Sequence, residues 1–395
     1  MDKKKITLAG IATIVIIMVT SIGMFSDLLE DDTIKVSNED FQLYKNQPYP
    51  PQIIQNCNDE MHCAVNVMQS IADNESQEQV ISTFAELIIL YEKTIPCHET
   101  GHHLGMWLYG YLDDIEKSLE LAQQQCGGSI YHGVIQNYIL IQKFHGVDIE
   151  DIDIHSICKD EYANPYSIDH WQCLHGVGHG LAQLYDYDVV TAVKRCEEFD
   201  EKIEQISCGK GVFMQNVVQY FDTKSGDFDE IDRYYPCNAV DESFVPQCYH
   251  YHVTYLALLN EKKLKQTFDS CDGITPEEMI KYCYYGFGRQ LSGNIQSIDD
   301  ALFLCEAGQI TEYHKYCLAG MVLTAVNGNR NPDFGFSFCS HMPEDYKFDC
   351  YDGLGRWVKM LHSDKVNRDI ECQKAENFEY SQICKDASFD SILLL

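Results

Sequence analysis

The chain has 395 residues, enough for two or three ordinary domains or for one long repeat array. With 61 acidic against 29 basic residues its formal net charge is −32, which repels nucleic acid and anionic lipid surfaces and excludes both as partners. Its 18 cysteines include no C-x-x-C knuckle, so thiolate metal sites give way to disulfides formed in an oxidising compartment.

Residues 1–5 carry three lysines and precede an uncharged apolar run over 6–25. A run of about 20 residues spans hydrocarbon as a helix. Residues 6–25 therefore read as an uncleaved transmembrane signal anchor; a cleaved signal peptide competes, but no small-x-small site follows cleanly. Lysines before the span and Asp27, Glu30, Asp31 and Asp32 after it place 1–5 in the cytoplasm and the rest outside the cell. Residues 26–56 are acidic, end in "NQPYPPQ", and read as a stalk in front of an extracytoplasmic domain over 57–395.

Within that domain the cysteines keep a rhythm. The segments "CLHGVGHGL" at 173, "CGKGVFMQN" at 208, "CYHYHVTYL" at 248, "CYYGFGRQL" at 283, "CLAGMVLTA" at 317 and "CYDGLGRWV" at 350 begin alike. Gly176, Gly211, Gly286, Gly320 and Gly353 stand three positions after the cysteine in five of these six. With Cys97, Tyr131 and Cys384 added, the starts are separated by 34, 42, 35, 40, 35, 34, 33 and 34 residues. A period near 34 is that of helical hairpins stacked into a solenoid. Apolar residues at three and four spacing in "SLELAQQQC", "AVKRCEEF" and "LFLCEAG" agree, so the expectation is an all-α array of about eight hairpins.

A second cysteine lies 11 to 15 residues before most starts. That pairs Cys158 with Cys173, Cys196 with Cys208, Cys237 with Cys248, Cys271 with Cys283, Cys305 with Cys317, Cys339 with Cys350, and Cys372 with Cys384. Where Tyr131 takes the start slot, Cys126 is left to Cys97, and Cys57 to Cys63. Each such loop of a dozen residues stabilises by at most about 3 kcal/mol in the chain-entropy model.

Histidines recur in the same segments. His98-Glu-Thr-Gly-His102-His-Leu aligns with His175-Gly-Val-Gly-His179-Gly-Leu, and the repeat between offers His132. Residues i and i+4 on a helix face one way, the geometry two imidazoles need to share a metal, and neutral imidazole suits zinc or copper. Equivalent positions on stacked helices lie about 8–10 Å apart, so all five imidazoles meet only if the array curves tightly. The competing reading has them packed between glycines and bonded to helix ends. His103 is expected to face away, His250 and His252 to diverge, and His62 to lie in a loop.

"HETGHHLGMWL" resembles the metzincin signature H-E-x-x-H-x-x-G-x-x-H over His98, Glu99, His102 and Gly105. That resemblance implies a zinc hydrolase with Glu99 as general base. It departs at Leu108, where the third ligand belongs, and a glutamate ligand would have to come from Glu116 or Glu120. The succession "CHETGHHLGMWLYGY", "CGGSIYHGVIQNY", "CLHGVGHGL" and "CGKGVFMQNVV" is similar, over most of the chain, to a group of exported, largely uncharacterised archaeal and bacterial proteins with Cys/His/Gly helical repeats. It implies a shared fold and a shared histidine site, with no established activity.

Arg289 and Arg356, six positions after their repeat cysteines, are expected on one face with Tyr285 and Trp357. The Gly-x-Gly pairs read as tight helix entries, since no strand or P-loop lysine accompanies them. Asn74-Glu75-Ser76 is a single glycosylation sequon. The leading expectation is a membrane-anchored extracytoplasmic helical-repeat binding or scaffold protein, its partner another envelope protein, with a zinc or copper site at His98, His102, His132, His175 and His179. A zinc hydrolase and a purely structural envelope protein are the alternatives.

Overall fold

The computed structural model describes residues 61–94, 98–122, 125–158, 166–295, 297–329 and 332–389. The expected tail, anchor and stalk over 1–56 lie outside the described residues, as do Cys57 and Cys97 with their pairings. No helix among the described residues is long and apolar enough to cross a membrane.

Seventeen α-helices make up the described residues, and no strand is present among them. Two helices, α1 (Met61–Ala72) and α2 (Gln77–Thr94), precede the array. Its long helices are α3 (His98–Leu112), α5 (Ser129–Phe144), α6 (Ile168–Leu184), α8 (Lys202–Thr223), α9 (Val245–Leu259), α11 (Ile280–Leu291), α13 (His314–Asn329), α15 (Glu344–Leu361) and α17 (Phe378–Phe389). Each packs on the next. Short helices α4 (Ile115–Ala122), α7 (Val189–Lys194), α10 (Leu264–Asp272), α14 (Pro332–His341) and α16 (Lys365–Cys372) each pack on the long helices either side, and α12 (Ile298–Cys305) packs on α13, giving the second layer.

Hairpins are therefore the rule, with two exceptions. The repeats opening at 131 and 208 have no second α-helix among the described residues; they continue as a short 3-10 turn over Ile149–Asp151 and as turns over 224–241. These are the two longest repeats, at 42 and 40 residues. Their acids and Gly146 or Gly226 favour turns that cap their own backbone: the Asp148, Asp153, Asp229 and Asp232 carboxylates each accept from a backbone N–H two residues on. His62, expected in a loop, lies in the first turn of α1.

Seven disulfides form as spaced, Cys158–Cys173, Cys196–Cys208, Cys237–Cys248, Cys271–Cys283, Cys305–Cys317, Cys339–Cys350 and Cys372–Cys384, with Cα–Cα separations of 5.4 to 5.9 Å. The second cysteine of each bond sits about one turn inside its long helix, not at the helix start. The Gly-x-Gly pairs consequently lie within helices, which corrects their reading as helix entries.

What they do there is let two backbones touch. A Cβ on Gly211 would stand 2.0 Å from the His175 carbonyl oxygen, and one on Gly178 would stand 2.0 Å from that of Cys208. Gly133 meets the His102 carbonyl and Gly105 that of Ile130 in the same reciprocal way. Such contact replaces side-chain spacing with Cα–H···O approach, as small-residue helix pairs do. The array also curls: α13 packs against the 3-10 turn Gln125–Gly128, and Lys359 Nζ lies 3.9 Å from the centroid of the Tyr166 ring.

Gly133→Ala, which drives a methyl into the His102 carbonyl, is expected to destabilise by about 3 kcal/mol in urea unfolding. Gly293→Ala, with nothing within 4 Å of its Cβ, is expected to change stability by less than about 1 kcal/mol. Equal effects would contradict the crossing role.

Candidate metal centre

The glycine contacts set the true register of the repeats. Each such glycine touches the carbonyl of one residue on the preceding long helix: Gly133 that of His102, Gly211 that of His175, Gly286 that of His250 and Gly320 that of Tyr285. A Cβ on Gly176 would instead stand 3.0 Å from the His132 Cα, which places His132 at the same position on its helix. His102, His132 and His175 thus occupy one structural slot, with His98 a turn before it on α3 and His179 a turn after it on α6. Aligning His98 with His175 by sequence is therefore one helical turn out. Its cause is that Thr100 and Ile130, not cysteines, fill the start slot in the first two repeats.

Since the slot abuts the crossing, its side chains from successive helices are thrown together. Ring centroids lie 5.2 Å apart for His98–His102, 5.1 Å for His102–His132, 4.9 Å for His132–His175 and 4.9 Å for His175–His179. His102 and His179, on the first and third of three consecutive long helices, are 4.8 Å apart. Two overlapping triads result, His98/His102/His132 and His132/His175/His179, each with one nitrogen per ring within 4.8 Å of the others. These histidines can hold a metal ion. All but the partly exposed His98 are buried.

The second triad has its tautomers set from behind. Gln172 Oε1 lies 2.7 Å from His132 Nε2, and Gln215 Oε1 lies 2.7 Å from His179 Nδ1. An amide oxygen can only accept, so each facing nitrogen carries the proton and the other nitrogen of that ring keeps its lone pair. Met214 Sδ, 3.4 Å from His175 Nε2, is a weak acceptor that does the same for the third ring. The lone pairs are left on His132 Nδ1, His175 Nδ1 and His179 Nε2. Of these, His175 Nδ1 and His179 Nε2, together with His102 Nδ1, are buried and make no hydrogen bond.

Burial also keeps these rings neutral. Desolvation, then the neighbouring imidazoles, hold His102, His132 and His175 well below the usual 6.5. Burial lowers His179 to about 4, against a raising hydrogen bond from Gln215. Neutral imidazole is the form that binds a transition metal.

The remaining expected residues divide. His103 is buried and joins neither triad. His250 and His252 do diverge: His252 Nε2 bonds the Arg233 carbonyl oxygen at 2.6 Å, while His250 packs on Tyr285 at 5.0 Å. Leu108 is buried in the core and offers no ligand. Glu116 and Glu120 are exposed on α4 and join neither triad. Glu99 belongs to α3, but its side chain is outside the described residues. Arg289 lies 4.4 Å over the Tyr251 ring rather than beside Arg356, which pairs with Asp352 at 2.9 Å on its own helix. The orienting Gln172, Gln215 and Met214 escaped sequence reading, since no spacing marks a glutamine behind a histidine.

No family model, curated protein or solved structure matches this chain, so the centre is interpreted from its own residues.

Because these imidazoles are unprotonated in the fold and take up protons when unfolded, acid favours unfolding. Their contribution is complete above about pH 6.5 and is lost as pH falls toward 4. Urea midpoints of metal-free protein should fall more steeply from pH 6.5 to 5 than those of His132→Gln/His179→Gln; equal slopes would contradict buried neutral imidazoles.

Proposed function

We propose that this protein is an extracytoplasmic helical-repeat metal-binding protein that holds one zinc or copper ion at the His132/His175/His179 triad, with His98 and His102 completing the box. It is tethered to the membrane through residues 6–25. The observation that carries the reading is the set of buried lone pairs with no hydrogen-bond partner. An unsatisfied buried polar atom costs about 1–3 kcal/mol, and two of the triad's nitrogens, His175 Nδ1 and His179 Nε2, with His102 Nδ1 beside them, are accounted for by a cation held among these rings.

The donor set narrows the metal. Three neutral imidazoles, no carboxylate in either triad and oxidised cysteines suit zinc or copper over magnesium or calcium, which need oxygen ligands. Gln172, Gln215 and Met214 act as the orienting layer that metal-bound histidines use to fix ring and tautomer. The seven disulfides support export to an oxidising compartment. One of them, Cys158–Cys173, also anchors the helix that carries His175 and His179.

Metal analysis of purified protein is expected to find about one zinc or copper per chain, and none in His132→Ala/His175→Ala. Gln215→Ala should retain the fold with affinity about 10- to 100-fold weaker. Absence of metal in the wild type after reconstitution, or its full retention in the double variant, would contradict the reading.

A further inference from the structure

The inward slot continues past the histidines with a different chemistry. After His102, His132 and His175 it is filled by Lys210 on α8, His250 on α9 and Tyr285 on α11, and one turn beyond Tyr285 stands Arg289. These residues adjoin the imidazole box: the Tyr251 ring lies 6.4 Å from His175 on one side and 4.4 Å under the Arg289 guanidinium on the other. His250 bridges Tyr251 and Tyr285, with ring centroids at 4.7 and 5.0 Å.

Lys210 and Arg289 are out of place by ordinary rules. Lys210 is only 7 % exposed, and its near contact is the Trp171 ring, 5.3 Å from Nζ. Among the described residues no carboxylate pairs with Lys210 or Arg289, and the Arg289 Nε is buried without a hydrogen bond. Several other cations do find acids, as Lys265 finds Asp269 and Lys374 finds Asp333 and Glu371. A chain of net charge −32 has carboxylates in surplus, yet supplies none here. Buried charges are normally paired, because an unpaired one carries several kcal/mol of desolvation. Burial and the nearby guanidinium lower the Lys210 ammonium to about 7, the strain left when no anion is beside it.

We propose that Lys210, Arg289 and His250, walled by Tyr251 and Tyr285, form a binding site for a small phosphate-type oxyanion next to the histidine centre. A guanidinium fork and an ammonium present several donors to one multi-oxygen anion, and buried tyrosine hydroxyls add to them. The slight exposure that Arg289 and Lys210 retain gives a small ion access that a macromolecule lacks. The site stands on its own cations, whether or not the imidazoles hold a metal. If they do, an ion ligated only by neutral rings keeps its double charge, which favours an anion beside it further.

Inorganic phosphate is titrated calorimetrically into full-length protein in physiological salt, both metal-free and zinc-loaded. The expected result is one phosphate per chain in both forms, displaced by sulfate but not by equal acetate. Lys210→Met and Arg289→Met should each weaken binding at least tenfold, with zinc stoichiometry unchanged. Lys265→Met, which removes an exposed charge paired with Asp269, should leave it unaltered. Arg289→Lys should restore part of the affinity lost in Arg289→Met. No phosphate binding by the wild type in either form, or equal affinity across all variants, would overturn the site. Competition on the wild type decides the matter even if a variant fails to fold. Loss of zinc with phosphate binding intact would count against the metal reading alone.

Discussion

Backbone contact at glycine is the constraint on which the rest of the structure depends. Helices with ordinary side chains at their crossing pack about 8–10 Å apart, which leaves wider spacing between the imidazoles of successive repeats. Glycines whose missing Cβ would lie about 2 Å from a neighbouring carbonyl remove that spacing. The residue whose carbonyl is touched also projects its side chain inward, so closeness of backbone becomes closeness of rings. Curling of the array does the remainder and brings His102 and His179 to 4.8 Å across three helices.

Disulfides and glycines divide the work. Each of the seven bonds ties the segment entering a long helix to a point one turn inside it, which fixes where that helix begins along the stack. The glycines then fix how near the helices lie. Together they preorganise buried groups that would otherwise be costly: neutral imidazoles in one part of the interior, unpaired cations in the next. The chain's net charge of −32 favours cations around it, and the neutral rings could hold a metal ion by coordination rather than by charge.

Much of this was legible in the chain because disulfides and helix crossings both leave spacing behind. Cysteines 11 to 15 apart announced all seven described bonds, and Cys-x-x-Gly announced the period. The five histidines were legible as a group. Their register was not, because Cys97 sits near the place where Thr100 is the structural equivalent, and only the Gly133–His102 contact reveals the shift. The two irregular repeats were marked by their extra length, though a count of hairpins passed over it. Lys210 and Arg289 carried no motif at all; they become conspicuous only when the slots two and six positions after each cysteine are read down the array. Gln172 and Gln215 lay beyond any such reading, since their role exists only in three dimensions.

The central claim, that the imidazole box is a metal centre, is tested most directly by anomalous diffraction from crystals of the reconstituted protein, recorded either side of the zinc and copper absorption edges. The account predicts a single anomalous peak about 2.0–2.1 Å from His132 Nδ1, His175 Nδ1 and His179 Nε2. A peak placed elsewhere, or none beside fully ordered histidines, would contradict it.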